Sequence, residues 1–355
     1  MTRLSAGRLA VVSTSLSLAF LAVAASANDL TAISVSPDAV AAVSGGRVDF
    51  IHGKPLAGRT PGQNLTTLRA GSGSRSDLAG RTANGAISRP RYPADLINNG
   101  GAVIPSAVHH TIFVNTNTSC PPNSCWGDPI GFLGDLDKSD FIHVTDQYVG
   151  TKADGRYPVG DNYVINYPVT PGVPLTDQDI ANIAFSAARY SGNFNMGHIY
   201  SVFLPPGQDL CFDSTSGVCY SPDVPTTFYF CAYHSSISTQ FGGVIYTAEP
   251  YQAVNGCNVP PGTPNGLVAD STNNVLSHEV FETITDPVGS AWWNSVDNGI
   301  YGQEIGDECS FIKFTATNVY FDPSNIRLNG KLYAAQPEYS NIGHVCQVGR
   351  PSGEH

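Results

Sequence analysis

The chain has 355 residues, a formal net charge of −11 and few charged side chains overall, 13 %. From residue 109 onward it carries 24 Asp and Glu against 8 Lys and Arg, a balance that excludes nucleic-acid binding through phosphate contacts. Outside the N-terminal twenty-odd residues, no stretch is long and apolar enough to span a bilayer.

Arg3 and Arg8 precede an apolar run from Leu9 to about Ala25, and Ala25-Ser26-Ala27 offers the small residues a signal peptidase reads. Residues 1–27 are therefore expected to be a secretory signal. The mature chain is expected outside the cytoplasm, extracellular or periplasmic, with no membrane association. Eight cysteines follow, an even number that reads as disulfides in an exported chain. The economical pairing is sequential: Cys120–Cys125, Cys211–Cys219, Cys231–Cys257 and Cys309–Cys346. A four-cysteine zinc site would need C-x2-C knuckles, which are absent.

Residues 28–105 are rich in Gly, Ser and Asn and poor in large apolar residues. Alone they cannot bury enough area to offset chain entropy, so they read as a flexible leader or propeptide. The folded domain is expected over residues 106–350. AVHHTIFVN predicts a buried strand, and GFLGDLDKSDFIHVT a helix running into an extended segment. PLTDQDIANIAFSAARYSG predicts a helix capped by Thr176. HIYSVFLPP, TTFYFCAYH and GGVIYTAEPY predict three strands. Their connections suit antiparallel pairing, so the expected fold is α+β, a mixed and largely antiparallel sheet with packed helices, stabilised by disulfides.

The chemistry concentrates in SHEVFETITDP, which begins like the H-E-x-x-H zinc signature but has Glu282 where the second histidine would stand. On a helix His278 and Glu282 are one turn apart on one face, and zinc accepts both His nitrogen and Glu oxygen. Glu279 is rotated by about 100° and can lie beside the ion as general base. A catalytic zinc needs a third ligand. GQEIGDECS supplies Glu304 and Asp307, with Glu308 beside them, and His234 at the end of FYFCAYH is a fourth candidate or a transition-state donor. The plain alternative is a solvated helix face carrying two glutamates. Asp286, just before Pro287, reads as a helix stop. His109, His110, His143 and His198 read as core histidines, and Trp292 and Trp293 as buried core rather than cleft lining. Calcium wants six to eight oxygen ligands, so with a histidine in the shell zinc is the better match.

SHEVFETITDPVGSAWWN, then GQEIGDEC, then GKLYAAQPEYSN resembles the EXORDIUM, or phosphate-induced protein 1, family, and FYFCAYHSS resembles that family's cysteine-histidine segment. The resemblance covers about residues 107–346. It implies an extracellular or cell-wall-associated protein, and it singles out His234, His278, Glu279, Glu282, Glu304, Asp307 and Cys309. It also weighs against Asp286 as a ligand, because Asn stands there in many members. The strand-strand-strand-helix order before the motif resembles the zincin metalloprotease core. Together these imply a zinc-dependent, peptidase-like hydrolase acting on an extracellular peptide. The other reading is a non-catalytic protein that binds a cell-wall polymer, with the same residues as a structural site.

Overall fold

The computed structural model describes residues 30–35, 95–212, 214–215, 217–294, 304–310, 312–315 and 318–351. The expected signal, most of the expected leader and the GQ of GQEIGDEC lie outside them.

Six strands form the central sheet: β1 (Leu30–Ile33), β2 (Val108–Val114), β3 (Asn162–Ile165), β4 (His198–Phe203), β5 (Tyr233–Thr239) and β6 (Gly242–Glu249). Their spatial order is β1-β3-β2-β4-β6-β5. The first four contacts in that order are parallel, and only β6 with β5 is antiparallel. The sheet is mixed and mostly parallel, which corrects the expectation of a largely antiparallel one and makes the architecture α/β. Burial explains the difference. HHTIFV, HIYSVF and GVIYTA are buried almost throughout, as strands covered on both faces must be. The polar strand β5, YHSSIST, takes the edge. Its tight hairpin partner β6 lies between β5 and β4 and pairs with β4 in parallel.

Alternation along the strands fills two cores. Ile112, Val114, Tyr200, Val202, Val244 and Tyr246 point to one side, where they meet Ile180, Ile183 and Ala184 of helix α3 (Asp177–Ser191). Phe113, Ile199, Phe203 and Ile245 point to the other. There they meet α1 (Pro129–Asp137) and the long helix α4 (Leu267–Thr285). The cap predicted at Thr176 is present as a capping box, with Asp179 Oδ2 accepting the Thr176 backbone N–H at 2.7 Å.

Three further expectations are corrected. The segment after α1 is helical rather than extended: a 3-10 turn (Ile142–Thr145) leads into α2 (Asp146–Val149), with Thr145 Oγ1 donating to the Ile142 carbonyl at 2.7 Å. The strand foreseen at TTFYFCAYH begins only at Tyr233, because residues 226–232 form a turn and a buried irregular stretch tied to Cys257 by Cys231. His234 therefore lies at the start of a strand, not at its end. Two pieces of the expected leader also belong to the fold. Leu30–Ile33 pairs with β3 in parallel, and Leu96 and Ile104 are buried in the α4-side core.

All four sequential disulfides are formed, consistent with an oxidising compartment. Among the described residues no helix is long and apolar enough to cross a membrane.

Candidate metal centre

From Asp270 onward helix α4 is buried on every side, its polar residues included: Asp270, Ser271, Asn274 and Ser277 are all inaccessible. The solvated-face alternative for HEVFE is thereby overturned. Asp270 locks the helix to the hairpin Ser324–Leu328 and Lys331–Ala335, accepting Asn265 N–H at 2.7 Å and Ala334 N–H at 3.2 Å. At the far end Asp286 Oδ1 accepts Ser290 N–H at 2.6 Å and Ala291 N–H at 2.7 Å. Asp286 is thus a helix stop, as its place before Pro287 predicts.

The middle of α4 faces the antiparallel edge of the sheet. His234 stands opposite Thr247 in the β5–β6 register, on the face shared with Ile245 and Glu249. Its Nδ1 lies 3.5 Å from Glu279 Oε2 and 3.6 Å from Glu282 Oε2, and its Nε2 lies 3.7 Å from Glu304 Oε1. Nε2 is 3.1 Å from the Asp286 carbonyl. In the neutral ring that bond places the proton on Nε2 and leaves the Nδ1 lone pair aimed at the two glutamates.

His278 Nε2 lies 3.1 Å from Glu282 Oε1, 3.9 Å from Asp307 Oδ1 and 4.0 Å from Glu279 Oε1. Asp307 is placed by its own backbone, whose N–H donates to Glu282 Oε1 at 3.0 Å. The disulfide Cys309–Cys346 and the bond from Tyr339 N–H to the Ile305 carbonyl hold this segment against α4. Gly306 is required there, because a Cβ at that position would sit 2.5 Å from His278 Nδ1. The Gln336 amide lies 2.9 Å from His278 Nδ1 and donates to the Gly306 carbonyl at 2.7 Å. For Nε2 to bind an ion the proton must sit on Nδ1, and Gln336 must then turn its oxygen to it.

All six residues read from the sequence, Glu279, His234, His278, Glu282, Asp307 and Glu304, thus come together in one buried cluster. His143 pairs instead with Asp146 and Asp154. His110 Nδ1–H donates to the Asp161 carbonyl at 2.8 Å, with His198 Nδ1 3.0 Å from its Nε2. Trp292 is only partly buried, its indole N–H bonded to the Tyr148 carbonyl at 2.8 Å.

The sequence reading missed Glu338, Glu249 and Gln336. Glu338 is fully buried, and neither oxygen has a hydrogen-bond partner among the described residues. Burial raises its pKa well above the carboxylate range, His278 opposes this, and Glu282 and Asp307 reinforce it. Glu249 is raised by burial and by the charge of Glu279. Glu338 lies in the quoted block GKLYAAQPEYSN, whose lone acid next to a proline was the available signal. Glu249 ends an apolar strand and carried none.

The electrostatics show a cluster short of positive charge. Burial lowers His234 and His278, yet the carboxylates around them overcome it and push both well above the usual imidazole range. Glu304 is raised by burial and by Glu282. Burial would also raise Glu282, but His278 and His234 hold it down. The cluster thus keeps protons where a cation would otherwise sit, and metal binding would release them. His278 Nε2, His234 Nδ1, Glu279 Oε2, Glu282 Oε2 and Glu304 Oε1 are buried without a hydrogen-bond partner among the described residues. Such orphaned atoms are costly unless an ion completes them. Two donor sets could hold one: His234, Glu279 and Glu282, and His278, Glu282 and Asp307, each with ligand atoms within 4.8 Å of one another.

No known family, no curated protein sequence and no solved structure matches the chain.

Proposed function

We propose that the protein is an exported, EXORDIUM-like, metal-dependent hydrolase of peptidase type, with zinc on His278, Glu282 and Asp307. The observation that carries the reading is the convergence of those three donors with Glu279 beside them. The donor set of one imidazole and two carboxylates suits zinc. Bound there, zinc would supply Lewis acidity and make water acidic enough to ionise near neutral pH. Glu279 takes the proton of the attacking water and passes it to the leaving amine. His234, with its Nε2–H held by the Asp286 carbonyl, faces the cluster through Nδ1 and would serve as a ligand rather than a donor. The resemblance to the zincin order of strands and helix is an analogy of fold and says nothing by itself of the reaction.

The test is Glu279→Gln. It should keep the ion at His278 and lose about 10²–10⁴-fold in turnover on a peptide panel. Full activity in this variant would sink the mechanism.

One observation favours a second reading. His278, Glu279 and Glu282 are at most 1 % exposed, which suits a structural ion in a non-catalytic protein that binds a cell-wall polymer. In that case His278→Ala lowers thermal stability, and the panel shows no hydrolysis by the wild type.

A further inference from the structure

We propose that the cluster is built for two divalent transition-metal ions bridged by Glu282, one on His278, Glu282 and Asp307 and the second on His234, Glu279 and Glu282. The inference rests on the metal reading above and extends it to a second site.

Glu282 directs its oxygens to different histidines. Oε1 lies 3.1 Å from His278 Nε2, and Oε2 lies 3.6 Å from His234 Nδ1. A carboxylate placed so spans two ions in the way two-metal hydrolytic sites use one, with the ions about 3.5–4 Å apart. The second donor set also has the right size. Bonds of about 2.0–2.1 Å around a tetrahedral ion separate adjacent ligand atoms by roughly 3.4 Å. His234 Nδ1 stands 3.5 Å from Glu279 Oε2 and 3.6 Å from Glu282 Oε2. All three of these atoms are buried, have no hydrogen-bond partner among the described residues, and lie within 4.8 Å of one another. The bond from His234 Nε2 to the Asp286 carbonyl, 3.1 Å, fixes the tautomer that ligation at Nδ1 needs.

Charge argues the same way. Glu249, Glu279, Glu282, Glu304, Asp307 and Glu338 are all buried around the two imidazoles. One divalent ion would neutralise a third of those carboxylates if ionised, and two would neutralise two thirds. A single ion on His278 would leave the His234 set unexplained. In the two-ion centre Glu279 is a ligand of the second ion through Oε2, while Oε1 still faces the first.

The experiment is elemental analysis of the full oxidised chain, saturated with zinc and then freed of loose metal by gel filtration, beside His278→Ala, His234→Ala and Glu279→Gln. We expect two zinc ions per chain in the wild type and one in both His234→Ala and Glu279→Gln. X-ray absorption of the wild type should show a zinc–zinc vector. One ion in the wild type, unchanged in His234→Ala and lost in His278→Ala, overturns the second site and leaves the single-ion reading standing. Two ions in Glu279→Gln also overturn it. No zinc in any form overturns both. If His234→Ala fails to fold by circular dichroism, the conservative Glu279→Gln decides alone.

Discussion

Gly306 shows how closely a single atom can control the centre. Its missing Cβ leaves room for the His278 ring, which an alanine methyl would approach to 2.5 Å. Gly306→Ala must push either the ring or the segment carrying Asp307, at a cost of roughly 1–3 kcal/mol. Urea denaturation should show that loss, together with reduced zinc retention. A variant with wild-type stability and metal content would mean that the segment relaxes freely. His109 is informative in a different way. It is buried, neither ring nitrogen has a hydrogen-bond partner among the described residues, and burial together with His110 lowers its pKa to about 3. Its folded pKa is depressed below the unfolded value of about 6.5. Its contribution to stability is therefore present above pH 6.5 and is lost as pH falls toward 3. His109→Phe should flatten the acid limb of the stability curve between those values. An unchanged acid limb would show that the ring is already protonated or solvated in the fold.

Among elements, α3 and α4 use buried acids for opposite ends. Asp177 opens α3 on the face away from the histidine–carboxylate cluster. Its Oδ1 accepts the hydroxyls of Tyr233 at 2.8 Å and Tyr246 at 2.9 Å. Burial nevertheless raises its pKa to about 6, against the two tyrosine donors. A raised carboxylate stabilises the fold below the unfolded pKa, near 3.8, and loses that contribution as pH rises through about 6. Asp177→Asn keeps an acceptor for both hydroxyls and removes the titration. The variant should gain on the wild type by up to about 3 kcal/mol between pH 4 and pH 8. Chemical denaturation at the two pH values measures it, and a constant difference would mean that Asp177 does not titrate in this range. In α4 the acids instead gather around two histidines and could hold a cation. This helix is held by Asp270 at one end, Asp286 at the other and a tethered 304–310 segment along its side. The donors are therefore fixed by packing and covalent bonds rather than by the helix alone.

At the scale of the whole molecule, the metal and the fold should be linked. The centre joins α4, the β5 edge and the C-terminal segment, so an ion binding there stabilises the arrangement that brings them together. Chelation should lower the melting temperature of the oxidised protein, and added zinc should restore it. At a free zinc concentration of 100 times Kd the gain is about 2.7 kcal/mol per site. A melting temperature indifferent to both treatments would leave the acid cluster to protons alone.

Much of the centre was legible in the sequence alone. His278 and Glu282 are one helical turn apart, and Glu279 follows from the same period, because local geometry along a helix is set by sequence spacing alone. The local disulfides, the α3 capping box and the Asp286 stop are also short-range features. Strand direction was not legible. It depended on which strand took the edge, and that was settled by burying GVIYTA on both faces while leaving the polar β5 outside. Glu249 gave no local signal and Glu338 only its place beside a proline, because the importance of both comes from the charges that folding places around them. His234 and Asp307 could be named from composition and resemblance, but their distances to α4 could not. Those distances arise from sheet register, from the Gly306 approach and from the Cys309–Cys346 tether. The sequence by itself determined the helix, its ligand spacing and the local covalent links. Only the tertiary structure decided that two histidines would share one glutamate, because that meeting joins segments far apart in the chain.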